Sequence, residues 1–308
     1  MAAIKEIKNH IQSVEDTQKI TNAMYLIAST KLRKAKKELD GTRPYFKALK
    51  EEIERLFSVS EDIQSRYLFP HSGDEDLPGS YGYLVITADK GLAGAYNQNV
   101  IKKTLELMKE HESPKLYVVG EYGRQYFRHH NIPIEQDFQY TAQNSSISRA
   151  REIAGVLVDL FLKKEISKVY VIYTDMHGAG DSEACWSTIL PFHRADFSGL
   201  DNHEKYAETR FEYLPSVEKV LDNVVPSYVA GYIYSALVDS FCSEQYARMT
   251  AMDSANMNAE NLLEELYLKY NHIRQGAITQ EITEVAAGAK SMKRKAKRKK
   301  TEGGTAKS

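Results

Sequence analysis

Apolar and small residues recur at intervals of three and four through the first sixty positions: Ile4, Ile7, Ile11 and Val14, then Tyr25, Ala28, Leu32, Ala35 and Leu39, then Phe46, Leu49, Ile53 and Leu56. This spacing predicts a single stripe along a helix of about 50 residues, about 80 Å long. Polar Gln18, Thr21 and Thr42 fall on the stripe and predict an imperfect seam there. Pro44 predicts either a mild kink from one lost backbone hydrogen bond or a break and restart. A second helix is expected from about Ser216 to Ser291, where Ala259, Leu263, Leu266, Tyr270, Ile273 and Ala277 repeat in the same way. Upstream, Ile233, Leu237, Phe241 and Ala251 do so more loosely. Neither stripe is wide enough for a globular core, so two of them at opposite ends of the chain predict an antiparallel coiled coil. Two separate helices lying on a middle domain are the alternative, against which the length of both segments argues.

Between the helices the period changes. "YGYLVITA" (81–88), "KLYVVG" (115–120) and "KVYVIYTD" (168–175) predict buried strands, while "NVIKKTLELMKEH" and "ISRAREIAGVLVDLFLKKE" predict intervening helices. This alternation predicts a parallel, Rossmann-like α/β sheet, to which "SEACWSTILPF" and "TRFEYLP" are candidates for later strands. The expected organisation is an N-terminal coiled-coil helix over 1–60, a central α/β domain over 71–214 entered through the linker "HSGDEDLPGS", a C-terminal coiled-coil helix over 215–291, and a tail over 292–308.

The glycine-bearing "DKGLAGAYNQN" (89–99), between a strand and a helix, stands where many proteins hold phosphate. It lacks the Lys and hydroxyl of GxxxxGK[ST] as well as the GxGxxG fingerprint. A tight turn accounts for Gly91 and Gly94. No HExxH is present, the nine histidines show no ligand spacing, and His129 and His130 fall in a polar segment expected to be exposed. "HGAGD" (177–181) has no accompanying GxSxG. Cys185 and Cys242 are far apart and are expected to be buried, inert thiols.

Composition adds little beyond this: 27% charged and 42% hydrophobic residues suit a soluble chain of one large or two modest domains. No apolar run approaches the roughly 18 to 20 residues of a membrane span, and "MAAIKEIKNHIQ" has no signal-peptide character, so a cytoplasmic location is expected. The net charge of −1 hides an asymmetry. "KSMKRKAKRKKTEGGTAKS" (290–308) holds nine Lys or Arg and one Glu, leaving 32 basic and 41 acidic groups, a net of −9, on the rest. The tail is expected to be disordered, either as a solvated solubility segment or as a binder of nucleic acid or anionic lipid.

Three stretches, "TQKITNAMYLIASTKLRKAK" (17–36), "ITADKGLAGAYN" (86–97) and "SEQYARMTAMDSANMNAENLLEELYLKYNHIRQGAITQEITEVAAGA" (243–289), resemble the gamma subunit of the bacterial F-type ATP synthase. The likeness runs in order from Ile4 to about Ser291, and "ITQEITEVAAGAKS" is its most specific part. It implies a rotating central stalk: a coiled coil inside a hexamer of alpha and beta subunits, with an α/β domain at the foot beside epsilon and the membrane-embedded c-ring. Proton or sodium flow would turn the foot and drive the beta sites through their conformations. The resemblance implies no catalytic residue, cofactor or metal site of its own, and a peripheral place on the cytoplasmic side of the inner or plasma membrane.

By motif position the resemblance places Met24, Arg248 and Gln275 at contacts with the beta subunits, and Glu281 and Glu284 are candidate partners of basic groups on the ring. Asp253, where the family usually has a basic residue, and Met257, where Asp is usual, depart from the pattern, as do Ala95 and Tyr96 in the turn. The basic tail continues past the family's usual end, where it is expected to touch acidic alpha or beta surface. A nucleotide- or anion-binding α/β protein, or a nucleic-acid-binding coiled-coil adaptor, is the rival reading. The first would need phosphate ligands in the 89–99 loop; only the tail supports the second.

Overall fold

The computed structural model describes residues 2–59, 63, 65–69, 77–111, 113–143, 145–178, 181–193, 197 and 212–302; within these, the side chains of 2, 3, 58, 59, 177, 178, 181 and 294–302 are left aside. The elements run α1 (Ala2–Val59), β1 (Tyr81–Ile86), α2 (Tyr96–Met108), β2 (Pro114–Val119), α3 (Glu121–His129), α4 (Ile147–Leu162), β3 (Lys168–Gly178), β4 (Asp181–Leu190) and α5 (Val217–Glu302). They form two compact units, Met1–Met24 with Met252–Ser308, and Tyr25–Ala251.

In the larger unit a four-stranded sheet has the order β2-β1-β3-β4. β1 pairs in parallel with β2 and β3, and β4 is antiparallel to β3. The three strands expected from the alternation are parallel, and β4 makes the sheet mixed because β3 returns directly into it with no helix between them, and a short connection permits only antiparallel pairing. The strand expected at "TRFEYLP" is not formed in its described part, 212–215, and 209–211 lie outside the described residues. So do residues 179–180 of "HGAGD" and 71–76 of the linker.

Alternation along the strands divides the core. Leu84, Ile86, Tyr117, Val119, Val169 and Val171 face one way, with Ile153 and Leu157 of α4, Ile53 and Leu56 of α1, and Val229 and Ile233 of α5. Tyr83, Val85, Leu116, Val118 and Ile172 face the other, over Val100 and Ile101 of α2 and Phe127 of α3. From Tyr25 onward, α1 and its partner stretch of α5 are therefore part of the sheet's own core. The coiled-coil stripe is read correctly as a buried face, but in this unit the sheet helps to bury it. α1 passes through Pro44 and α5 through Pro226 without interruption. At the start of α5 the Ser216 hydroxyl accepts from the Lys219 N–H at 3.4 Å.

In the smaller unit, the beginning of α1 and the latter part of α5 pair antiparallel. Ile11 and Leu266 are buried, Gln18 donates to Glu260 at 3.3 Å, Thr21 hydrogen-bonds Asn256, and the Tyr267 hydroxyl donates to Glu15 at 2.7 Å. The polar interruptions at Gln18 and Thr21 thus meet polar partners across the seam. Residues 274–293 of α5 are exposed on every side, including Ile278, Ile282, Val285 and Met292.

The helix runs on to Glu302, past position 291. Lys, Arg and Ala are good helix formers, cations suit a helix C-terminus, and no breaker occurs before Gly303. Residues 303–308 lie outside the described residues.

Candidate functional site

Side chains in and around the turn after β1 accept from backbone donors of the neighbouring segments. The Thr87 hydroxyl donates to the Val119 carbonyl at 2.9 Å and accepts from the Gly123 N–H at 3.1 Å. Asn97 Oδ1 accepts from the Ala88 N–H at 2.9 Å. Asp89 Oδ1 accepts from the N–H groups of Glu121 (3.2 Å) and Ala142 (3.1 Å), and Oδ2 from that of Gln143 (3.0 Å). An anion held here would need such amides; they already hold a carboxylate, whose charge repels phosphate. Gly120 has no room for a side chain, since a Cβ there would stand 2.2 Å from the Thr87 carbonyl oxygen, and its φ of +96° favours glycine.

Beyond Asp89 the loop is fastened to α5. Arg248 Nη2 donates to the Gly91 carbonyl at 3.0 Å and the Lys90 carbonyl at 3.4 Å, while Nη1 meets Glu244 Oε1 at 2.6 Å. The side chains of Arg248 and Glu244 are 13% and 5% exposed, so the pair is substantially desolvated. Burial pushes the Glu244 carboxyl above the usual carboxylate range, and the Arg248 guanidinium opposes that shift. Gln245 Nε2 also donates to Glu244 Oε1, at 3.1 Å. Tyr96 is buried beside these groups; burial above all, then the Glu244 charge, raises its pKa. The clamped loop turns Leu92 outward with φ +62° and 62% exposure. A left-handed, solvent-facing leucine is an unusual conformation, held by the contacts on either side.

Of the five site residues expected from the resemblance, Arg248 is committed to this internal clamp. Met24 is half-buried on α1. Gln275, Glu281 and Glu284 are exposed on the lone stretch of α5, where Gln280 Nε2 donates to Glu284 at 3.0 Å. Asp89, Glu244 and Thr87 were not singled out in the sequence; only the i, i+4 spacing of Glu244 and Arg248 marks a pair in advance. Among the described residues no group of three or more His, Cys, Asp or Glu is arranged for a metal. Cys242 is buried, with its thiol pushed up to about 11 by burial.

The family model described as ATP synthase matches residues 3–292. The ATP synthase gamma chain of Acetivibrio thermocellus is 40% identical over 297 residues, covering 95% of this chain and 100% of that relative. The chain belongs to the ATP synthase gamma family. Gamma chains of Ruminiclostridium cellulolyticum, 39% identical over 94% of this chain and 98% of the relative, and of Acetobacterium woodii, 33% identical over 94% and 98% and described as sodium ion specific, are similar along their whole length. In fold the chain is like part of the Euglena gracilis mitochondrial ATP synthase, with a TM-score of 0.64 at 15% identity over 94% of this chain and 95% of that one. A gamma chain is a non-catalytic stalk subunit of a membrane-bound complex. None of the described helices is long and apolar enough to cross a membrane.

Proposed function

We propose that this gamma chain is the rotor shaft of an F1Fo ATP synthase, turning inside a hexamer of alpha and beta subunits with its α/β unit beside epsilon and the c-ring. The complex would sit peripherally on the cytoplasmic side of the inner or plasma membrane. The observation that carries the reading is the lone stretch of α5 from 274 to 293, exposed on all sides. A single helix with two glycines and β-branched residues is marginal in water, and four large apolar side chains on it call for a surrounding protein. Small residues such as Ala277, Ala286, Ala287 and Ala289 keep it slender enough to turn within a sleeve.

The subunit would make no bonds chemically. It would offer the beta subunits different contacts at each angle and thereby bias which beta conformation is populated. The pairing of α1 with α5 resists twist better than one helix does, because its seam must shear. Pulling the tagged chain from gently solubilised membranes tests the reading. Recovery of alpha, beta and epsilon with ATP hydrolysis is expected; recovery of the chain without alpha and beta would overturn it.

A further inference from the structure

The family match ends at residue 292, yet α5 continues for ten more residues, about 15 Å of helix. Seven of the eight positions from Lys293 to Lys300 are Lys or Arg, the exception being Ala296. We infer that this basic extension of α5, residues 293–302, docks on an acidic protein surface belonging to the same partner that encloses the exposed stretch 274–293.

The charge pattern favours an anionic partner. Lys293 and Lys297, Arg294 and Arg298, and Lys295 and Lys299 are i, i+4 pairs of like charge, each of which opposes the helix they stand on. Glu302 is the one acid in the segment. Anions that neutralise these charges relieve that repulsion.

The composition selects the class of anion. The segment has no apolar residue larger than Ala296, so it lacks the buried face with which an interfacial helix enters a lipid surface. It has no aromatic residue on which bases could stack. It also follows without a break the exposed Ile278, Ile282, Val285 and Met292, whose burial requires protein. A protein that covers Met292 is already within one or two turns of Lys293, so the basic turns meet its surface at high effective concentration. Asp and Glu side chains there would pair with the guanidinium and ammonium groups at the price of little ordering, since the helix is already in place.

This inference rests on the rotor reading, in which the enclosing partner is the alpha–beta hexamer. The test uses the complex purified with this chain in place. Trypsin cuts after Lys and Arg, so cleavage within 293–300 reports docking, and a zero-length carbodiimide joins a lysine to a carboxylate only in direct contact. In about 50 mM salt, cleavage of the tail is expected to be at least tenfold slower in the complex than in the isolated chain. The protection should be lost in about 500 mM salt, and the carbodiimide should link tail lysines to Asp or Glu of alpha or beta. Equal cleavage in complex and free chain, with no links, overturns the inference while leaving the rotor reading standing. Protection abolished by nuclease overturns it in favour of nucleic acid. A preparation in which alpha and beta do not accompany the chain overturns the rotor reading itself.

Discussion

Phe46 of α1 lies directly on Gly231 of α5: a Cβ added at Gly231 would stand 2.0 Å from Phe46 Cδ1 and 2.4 Å from Cε1. The helix backbones approach closely there because one side has no side chain, and Tyr234 holds the Phe46 ring from the next turn, with centroids 6.0 Å apart. Gly231→Ala is therefore expected to destabilise the larger unit by about 1–3 kcal/mol through overpacking, even though alanine is the better helix former. Phe46→Leu in the same chain should recover part of the loss. Thermal unfolding of the single and double variants checks the coupling, and additive effects would count against it.

Arg248→Ala leaves the buried Glu244 without its cation and releases the carbonyls of Lys90 and Gly91. A loss of about 3 kcal/mol or more is expected. Hydrogen exchange in the 89–94 loop should rise, and ATP hydrolysis by the assembled complex should fall. Arg248→Lys keeps the charge but cannot reach both sides, so it should recover stability only in part. Unchanged loop exchange in Arg248→Ala would show that the clamp does not hold the loop.

Gln275→Ala supplies the contrast. Gln275 is exposed on the lone part of α5, so the melting of the isolated chain should stay within about 0.5 kcal/mol of the parent. Coupled ATPase activity of the complex should weaken if Gln275 contacts beta. Unaltered turnover would remove it from the rotor's working surface.

Asp89→Ala strips the acceptor from three amides and should cost about 2–3 kcal/mol. The vacated amides of Glu121, Ala142 and Gln143 would then suit an anion. Sulfate is expected to raise the melting temperature of Asp89→Ala more than that of the parent, as measured in a titration at constant ionic strength.

The Arg124 guanidinium donates two hydrogen bonds to Glu121 and holds its carboxyl below the usual range. A carboxyl lowered in the folded chain contributes stability above its unfolded value of about 4.3, and that contribution disappears as pH falls through the folded value. Glu121 is 40% exposed, so the parent's advantage over Glu121→Gln should be no more than about 1 kcal/mol at pH 7. It should shrink as pH falls through the carboxylate range, as judged from urea unfolding at pH 7 and in acid.

The stripe from Ile4 to Leu56 was legible because helix period and burial coincide along it, and even its polar gaps announced themselves. α3 was not legible. Its nine residues, EYGRQYFRH, are amphipathic but span too few turns for a repeat to stand out, and it is fixed by Arg124 reaching the carbonyls of Val118 and Tyr140. The direction of β4 was hidden because "HGAGD" was weighed as a catalytic loop, although two glycines between strands also signal a hairpin. The spacing of Glu244 and Arg248 announces a pair but not the loop it grips more than 150 positions away.

The polar bonds of Gln18 to Glu260 and of Thr21 to Asn256 bear on more than the strength of the seam. A stripe of alkyl side chains alone repeats every seven residues and tolerates sliding by one repeat, about 10 Å. Such a slip would set Gln18 and Thr21 against other residues and strand their hydrogen-bonding groups. The two pairs thus act as a ruler: they set how far α5 projects beyond the first residues of α1, and so how deep the shaft reaches.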